Sequence, residues 1–312
     1  MDIFLRSISG ILVILGMILV GFIIGEKGWF DDKSRGLLAK LVTQVALPCY
    51  MLYTITQRFT AADLLKMLPA LRFPALSMVI LLGIATAVAR IFAVRQDRRG
   101  LFISMFFNSN TIFVGLPINQ ALFGDDSIPY VLIYYMCNTT FFWTLGTYLI
   151  QRDGEGEARF DLKTSLKKVF SPPLMGFLLG LVLVMLQIKL PAFLASDLQY
   201  LGNLTTPLSM IFIGLSVSHV GVKQLVLGKD HLLILLGRFL VAPLLMATIV
   251  YWAPLPSLMK QVFIIQSAMP VMTNAPVVAR LYGADSDYAA VMVTETTLAT
   301  MVVIPILMLL MA

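Results

Sequence analysis

Two apolar windows of membrane-spanning length are interrupted in the middle by asparagine and proline, and this limits the fold more than any other feature. The first centres on Phe107-Asn108-Ser109-Asn110-Thr111-Ile112-Phe113-Val114-Gly115-Leu116-Pro117, between the largely apolar residues 101–106 and 118–123. Pro117 lacks an N–H and its ring clashes with the carbonyl four residues back, so a regular helix breaks there. In lipid, a broken backbone is tolerated only where protein or a water-filled cavity satisfies the freed groups. The second interruption is Ser267-Ala268-Met269-Pro270-Val271-Met272-Thr273-Asn274-Ala275-Pro276. Paired interruptions at corresponding positions of two halves point to the binding site of a secondary transporter.

The positions do correspond. Sliding the chain on itself by 159 residues superimposes Pro117 on Pro276, Leu122 on Leu281 and Gly124 on Gly283. The same shift, without a gap, places Pro48 on Pro207, Met51 on Met210 and Gly21 on Gly180. One offset that aligns separate proline and glycine regions marks an internal repeat.

Of the 312 residues, 59% are hydrophobic and 13% charged, with a mean hydropathy of +0.88. A soluble domain carries about 25% charged residues, so the chain reads as an all-α integral membrane protein whose medium is the lipid bilayer. The net charge of +6 is dispersed over short loops, where it sets topology, and nucleic acid is not an expected partner. Cys49 and Cys137 fall in apolar spans and read as small core residues. Two histidines at span ends, without a Cys/His cluster, give no basis for a metal site. The first apolar run, Ile8 to Ile24, reads as a transmembrane helix rather than a cleavable signal peptide.

Crossing the hydrocarbon core takes about 20 apolar residues. Ten windows qualify, near 5–25, 37–56, 71–93, 101–122, 128–150, 170–188, 198–219, 231–252, 260–281 and 287–311. The expected organisation is a first five-helix repeat over 1–150, a cytoplasmic linker over 151–169 and a second repeat over 170–312. Five spans per half is odd, so the halves insert in opposite senses and the repeat is inverted. Loops after the odd-numbered spans, counted with the adjoining span ends, hold sixteen Lys and Arg against six on the other side. That bias puts both termini outside a multi-pass protein of the cell (inner or plasma) membrane.

The candidate substrate-binding residues are Asn108, Asn110, Thr111, Gly115 and Pro117 in the first interruption, with Thr273, Asn274 and Pro276 in the second. A half-helix N-terminus offers unpaired N–H groups and about half a positive charge, which favours an anion. The amides and hydroxyls add neutral donors, suited to a carboxylate that must also leave. The alternative is that they only bond helices together. Pro48 and Pro207 are expected to kink their helices, either for packing or to line a site. Arg238 and Glu295 are the ionisable residues placed deep in spans, and such residues are functional candidates. At 1.5 Å per residue they reach similar depth, so they are expected to form an ion pair or to handle protons. Gly214-Leu215-Ser216-Val217-Ser218-His219 only faintly suggests a serine nucleophile and lacks a second glycine. Without a glycine-rich phosphate loop and its following Lys, ATP-driven transport by this chain alone is not expected, and neither enzyme activity nor a cofactor is expected.

On the Asn-Thr-x-x-x-Gly-x-Pro run from Asn110 to Pro117, the stretch from Met269-Pro270 through Asn274 to Pro276, and the proline of span two, the sequence resembles the auxin efflux carriers. Their bacterial relatives include malate and malonate permeases. The resemblance implies a fold like that of sodium/proton antiporters and bile-acid transporters, with spans four and nine unwound and crossing at the paired prolines. It also implies a homodimer. Spans one, two, six and seven would form its scaffold and the other spans a moving transport domain. By the same resemblance an organic anion binds at the crossover, with Asn110 as a ligand to its carboxylate. The chain lacks the long loop of many plant members, and span five lacks the aspartate pair of sodium/proton antiporters. A carrier for cations or neutral solutes, and a ligand-sensing receptor or channel, remain the alternatives.

Overall fold

The structure, a computed structural model, describes residues 2–154, 170–220 and 228–311. Most of the expected 151–169 linker therefore lies outside the described residues. Every regular element among the described residues is helical. In chain order these are α1 (Asp2–Glu26), α2 (Lys33–Arg58), α3 (Leu64–Ile91), α4 (Arg99–Phe107), α5 (Gly115–Phe123) and α6 (Ile128–Phe141). They continue with α7 (Pro172–Met185), α8 (Ala192–His219), α9 (Lys229–Tyr251), α10 (Ser257–Ser267), α11 (Ala275–Tyr282) and α12 (Ser286–Met311). Helix α6 runs on through a π-turn at Phe142–Gly146 and a last turn at Thr147–Gln151.

Among the described residues five helices are long and apolar enough to cross a membrane: α2, α3, α8, α9 and α12. Residues Leu12–Glu26 of α1 and helix α7 are apolar but shorter. The windows at 101–122 and 260–281 are each divided into two short helices, α4 with α5 and α10 with α11. Both second halves begin at the prolines. Pro276 sits in the first turn of α11 and Pro117 two residues after the start of α5. There the absent N–H costs little, because first-turn N–H groups have no helical partner.

The described residues form two compact units. One contains 2–12, 70–154 and 228–311, and the other 13–69 and 170–219. The second unit holds most of α1 together with α2, α7 and α8. Its helices meet where side chains are absent. A Cβ on Gly21 would lie 2.2 Å from the Ile211 carbonyl oxygen, and one on Gly214 would lie 2.1 Å from that of Ile18. The serine-like run at 214–219 is thus a helix-packing surface, with Ser216 Oγ donating to the Phe212 carbonyl and Ser218 Oγ to Glu26. Small residues allow such approach where lipid offers no hydrophobic drive between helices. Pro48 follows a π-turn at Val42–Ala46, closed by the Leu47 N–H on the Val42 carbonyl, and its backbone packs against Gly176 of α7. Pro207 follows a break after Asn203, where α8 restarts at Thr205.

The first unit holds α4, α5, α6, α9, α10, α11, α12 and most of α3. Its core is aromatic and aliphatic, with Phe102, Phe106, Phe107, Phe142, Ile234, Val271, Val278 and Met292 buried together. Its outward residues are apolar too, among them Val79, Ile91, Leu244, Val302 and Leu310. Trp252, 87% exposed, packs edge-on against Tyr251 at the end of α9, a place where aromatics meet the membrane–water boundary.

Candidate functional site

The two interruptions, residues 108–114 and 268–274, touch within the first unit. The Asn110 N–H donates to the Pro270 carbonyl at 2.8 Å, and Gln266 Nε2 donates to the Thr111 carbonyl at 3.2 Å. Asn108, Asn110, Thr111, Gly115 and Pro117 are all buried, whereas Thr273, Asn274 and Pro276 are half-buried. The crossing is close because Gly115 has no side chain. A Cβ there would sit 2.3 Å from Gln266 Oε1.

Unwound backbone in a dry interior needs partners for every N–H and carbonyl. The structure supplies several of them from three neighbouring helices. Asn138 of α6 takes both groups of Ser109, accepting its N–H at 2.9 Å and donating to its carbonyl at 2.8 Å. Thr296 of α12 accepts the Val271 N–H at 3.0 Å, while its own proton goes to the Met292 carbonyl. Arg238 of α9, 0% exposed, donates to three carbonyls: Phe106 through Nη1 at 3.1 Å, Ser267 through Nη2 at 2.6 Å, and Met269 through Nε and Nη2. Phe106 and Ser267 lie in the last turns of α4 and α10. One guanidinium therefore serves the negative ends of two half-helix dipoles.

Arg238 consequently makes no ion pair with Glu295, contrary to the sequence expectation. A buried Arg needs acceptors, and helix-terminal carbonyls fill that need as well as a carboxylate does. Glu295 Oε2 instead lies 2.8 Å from His231 Nδ1.

Two π-turns shape the same region. Gly237, in the π-turn Gly237–Val241 that contains Arg238, faces the Phe106 ring, where a Cβ would come within 2.3 Å. Gly146, in the π-turn of α6, faces Asn108 Nδ2 and Ser104 Oγ, each 2.9 Å from a Cβ placed there. Such turns recur at functional sites.

The N-terminal half-helix ends are treated differently from the C-terminal ones. No acidic residue stands in the first turn of α5 or α11, and Val114 and Asn274 make no side-chain cap bond. Asn110 Oδ1 accepts the Phe113 N–H at 3.1 Å, which fixes the amide and leaves Nδ2, buried, without a partner. Asn108 Oδ1 and Gln266 Oε1 are buried acceptors also without partners. Buried polar atoms are nearly always bonded, so these three are candidate positions for bonds to a ligand.

Sequence reasoning passed over Asn138, Gln266, Thr296 and His231. Each is a polar residue in or at the end of an apolar window, which is the one signal that could have found it.

Comparison with known proteins places the chain among transporters. The membrane transport protein family matches residues 7–308. An uncharacterized transporter of Methanocaldococcus jannaschii is 27% identical over 299 residues, covering 94% of this chain and 95% of the relative. An uncharacterized transporter of Methanothermobacter thermautotrophicus is 28% identical over 312 residues, covering 97% and 98%.

Proposed function

Because the chain belongs to the membrane transport protein family, whose members resemble the auxin efflux carriers, we propose that it is a secondary transporter of small organic anions. The substrate binds where the two interrupted helices touch. The observation that carries this is Asn110 Nδ2, a buried amide donor held without a partner beside the N-terminus of α5. The protein supplies a cation, Arg238, to the C-terminal half-helix ends, and the first turns of α5 and α11 carry no acidic residue. A ligand carboxylate completes the arrangement, accepting from Asn110 and facing the positive ends of α5 and α11.

The unpaired oxygens of Asn108 and Gln266 add a second requirement, a donor on the ligand. A hydroxy acid such as malate carries both a carboxylate and a hydroxyl. The same oxygens favour, as a second reading, a neutral or cationic solute that donates or coordinates at those atoms.

Transport proceeds by alternating access about the crossover. The wider organisation proposed with it is ten crossings in two inverted halves, 1–150 and 170–312, in a homodimer of the cell membrane with both termini outside. The second compact unit, built from the helices of windows one, two, six and seven, supports a division into scaffold and transport parts.

Counterflow in liposomes tests the assignment. Protein loaded on one side with unlabelled organic acid should accelerate entry of labelled malate, or of another acid from a small panel. A channel or receptor gives no counterflow, and a solute carrier of the second kind gives it only with amines, cations or neutral compounds.

A further inference from the structure

Away from the crossover, a group of buried ionisable side chains lies where the start of α9 meets α12. His231 Nδ1 and Glu295 Oε2 are 2.8 Å apart, with side chains 11% and 5% exposed. Beside them Arg98 Nη2 lies 2.7 Å from Asp230 Oδ2. The Arg98 guanidinium stands 4.6 Å over the Tyr288 ring, which meets His231 edge-on at 5.1 Å. Asp285 accepts the Tyr288 N–H at 2.9 Å. Lys229 is turned to the Phe92 carbonyl, and Arg95 pairs with Asp97. Arg98, Asp230 and Asp285 are thus among the charged groups gathered around the pair and Tyr288.

Each member of the pair shares a helix with a crossover contact. Glu295 immediately precedes Thr296, which holds the Val271 N–H. His231 stands seven residues before Arg238 on α9, about two helical turns, and Arg238 holds the carbonyls of Phe106, Ser267 and Met269. The His231–Glu295 contact therefore joins two of the three helices that support the unwound backbone. Imidazole is the side chain whose charge changes across physiological pH.

We infer that His231 and Glu295 form a proton-binding site coupled to the crossover, taking up one proton in each cycle with the organic anion. This rests on the transport assignment above. The proton enters from water and binds the imidazole nitrogen that does not face Glu295. It converts neutral His231 beside ionised Glu295, net charge −1, into an imidazolium–carboxylate pair of net charge zero. Release reverses the step, and no bond other than that N–H forms or breaks. The pair's charge biases how α9 and α12 hold the breaks, which links proton occupancy to substrate access.

The chain has two histidines, so His219→Gln leaves His231 as a single reporter. In nanodiscs, the ring-carbon NMR signal of His231 should change with pH as the imidazole gains and loses its proton, and Glu295→Gln should displace the midpoint. In liposomes, the readout is the ratio of labelled-malate accumulation driven by a pH gradient to malate counterflow. That ratio should fall about tenfold or more in His231→Gln and in Glu295→Gln, which corresponds to loss of about 1.4 kcal/mol of coupling. A His231 signal that does not titrate, a midpoint indifferent to Glu295→Gln, or an unchanged ratio in folded variants overturns the inference. Absence of wild-type counterflow with every acid tried counts against the anion assignment instead. The proton site is then decided by the NMR titration alone.

Discussion

Arg238 grips the Met269 carbonyl twice, through Nε at 3.1 Å and Nη2 at 2.9 Å. The same guanidinium reaches Phe106 and Ser267, so one side chain fastens the ends of α4 and α10. Its charge is balanced by helix-terminal carbonyls rather than by a carboxylate.

Arg238→Gln should therefore destabilise the protein strongly, at about 1–3 kcal/mol for each buried acceptor left unpaired. Since Glu295 is bonded to His231 and not to Arg238, adding Glu295→Gln should not recover the loss. Thermal unfolding of the four proteins of a double-mutant cycle measures this. Losses that add to within about 0.5 kcal/mol fit the structure, and a double variant more stable than Arg238→Gln alone would restore the ion pair.

Gly115 should reject even a methyl group. An alanine Cβ would lie 2.3 Å from Gln266 Oε1 and 3.0 Å from Nε2, and Gln266 is held by its bond to the Thr111 carbonyl. Overpacking of this kind costs about 1–3 kcal/mol. Gly115→Ala should lower stability and transport, and Gly115→Ala with Gln266→Ala should recover stability. If the double variant is no more stable than the single one, the close contact is not what Gly115 provides.

Asp153 ties the end of α6 to the start of α4, accepting the Gly100 N–H at 2.9 Å and the Leu101 N–H at 2.6 Å. Burial pushes its carboxyl above the ordinary value of 3.8, against the opposing pull of those two bonds. The folded protein then binds this proton more tightly than the unfolded chain does. The stability contributed is full below the ordinary value and lost as pH rises through the raised one. Thermal stability of wild type relative to Asp153→Asn should accordingly decline as pH rises above the ordinary carboxyl value of 3.8. A difference that is flat or grows over that range contradicts the assignment.

What the sequence revealed about the crossover was what single residues do to their own backbone. Pro117 and Pro276 cannot continue a helix, so both breaks were legible, and so was their polar character. The identity of partners was not. Arg238 binds carbonyls, which every residue carries and no sequence pattern marks, so the visible carboxylate of Glu295 drew the pairing. Asn138 and Thr296 likewise bond to backbone groups of Ser109 and Val271, and only folding brings them there. The π-turns at Phe142–Gly146 and Gly237–Val241 have no local signature beyond a glycine. The grouping of helices into two compact units, each drawing on both halves of the chain, is a matter of tertiary packing and lies beyond periodicity.

The account turns on whether the unpaired amide of Asn110 holds a substrate carboxylate. The most direct measurement is the affinity of labelled organic acid for folded wild-type and Asn110→Ala protein, in the same nanodiscs. Removing a hydrogen bond to a charged group costs about 1.5–3 kcal/mol, or roughly 10- to 150-fold in affinity. The predicted result is a loss in that range with the unfolding temperature changed little by comparison. Wild-type affinity in a folded Asn110→Ala protein would contradict it and move Asn110 from the binding site into the scaffold of the crossing.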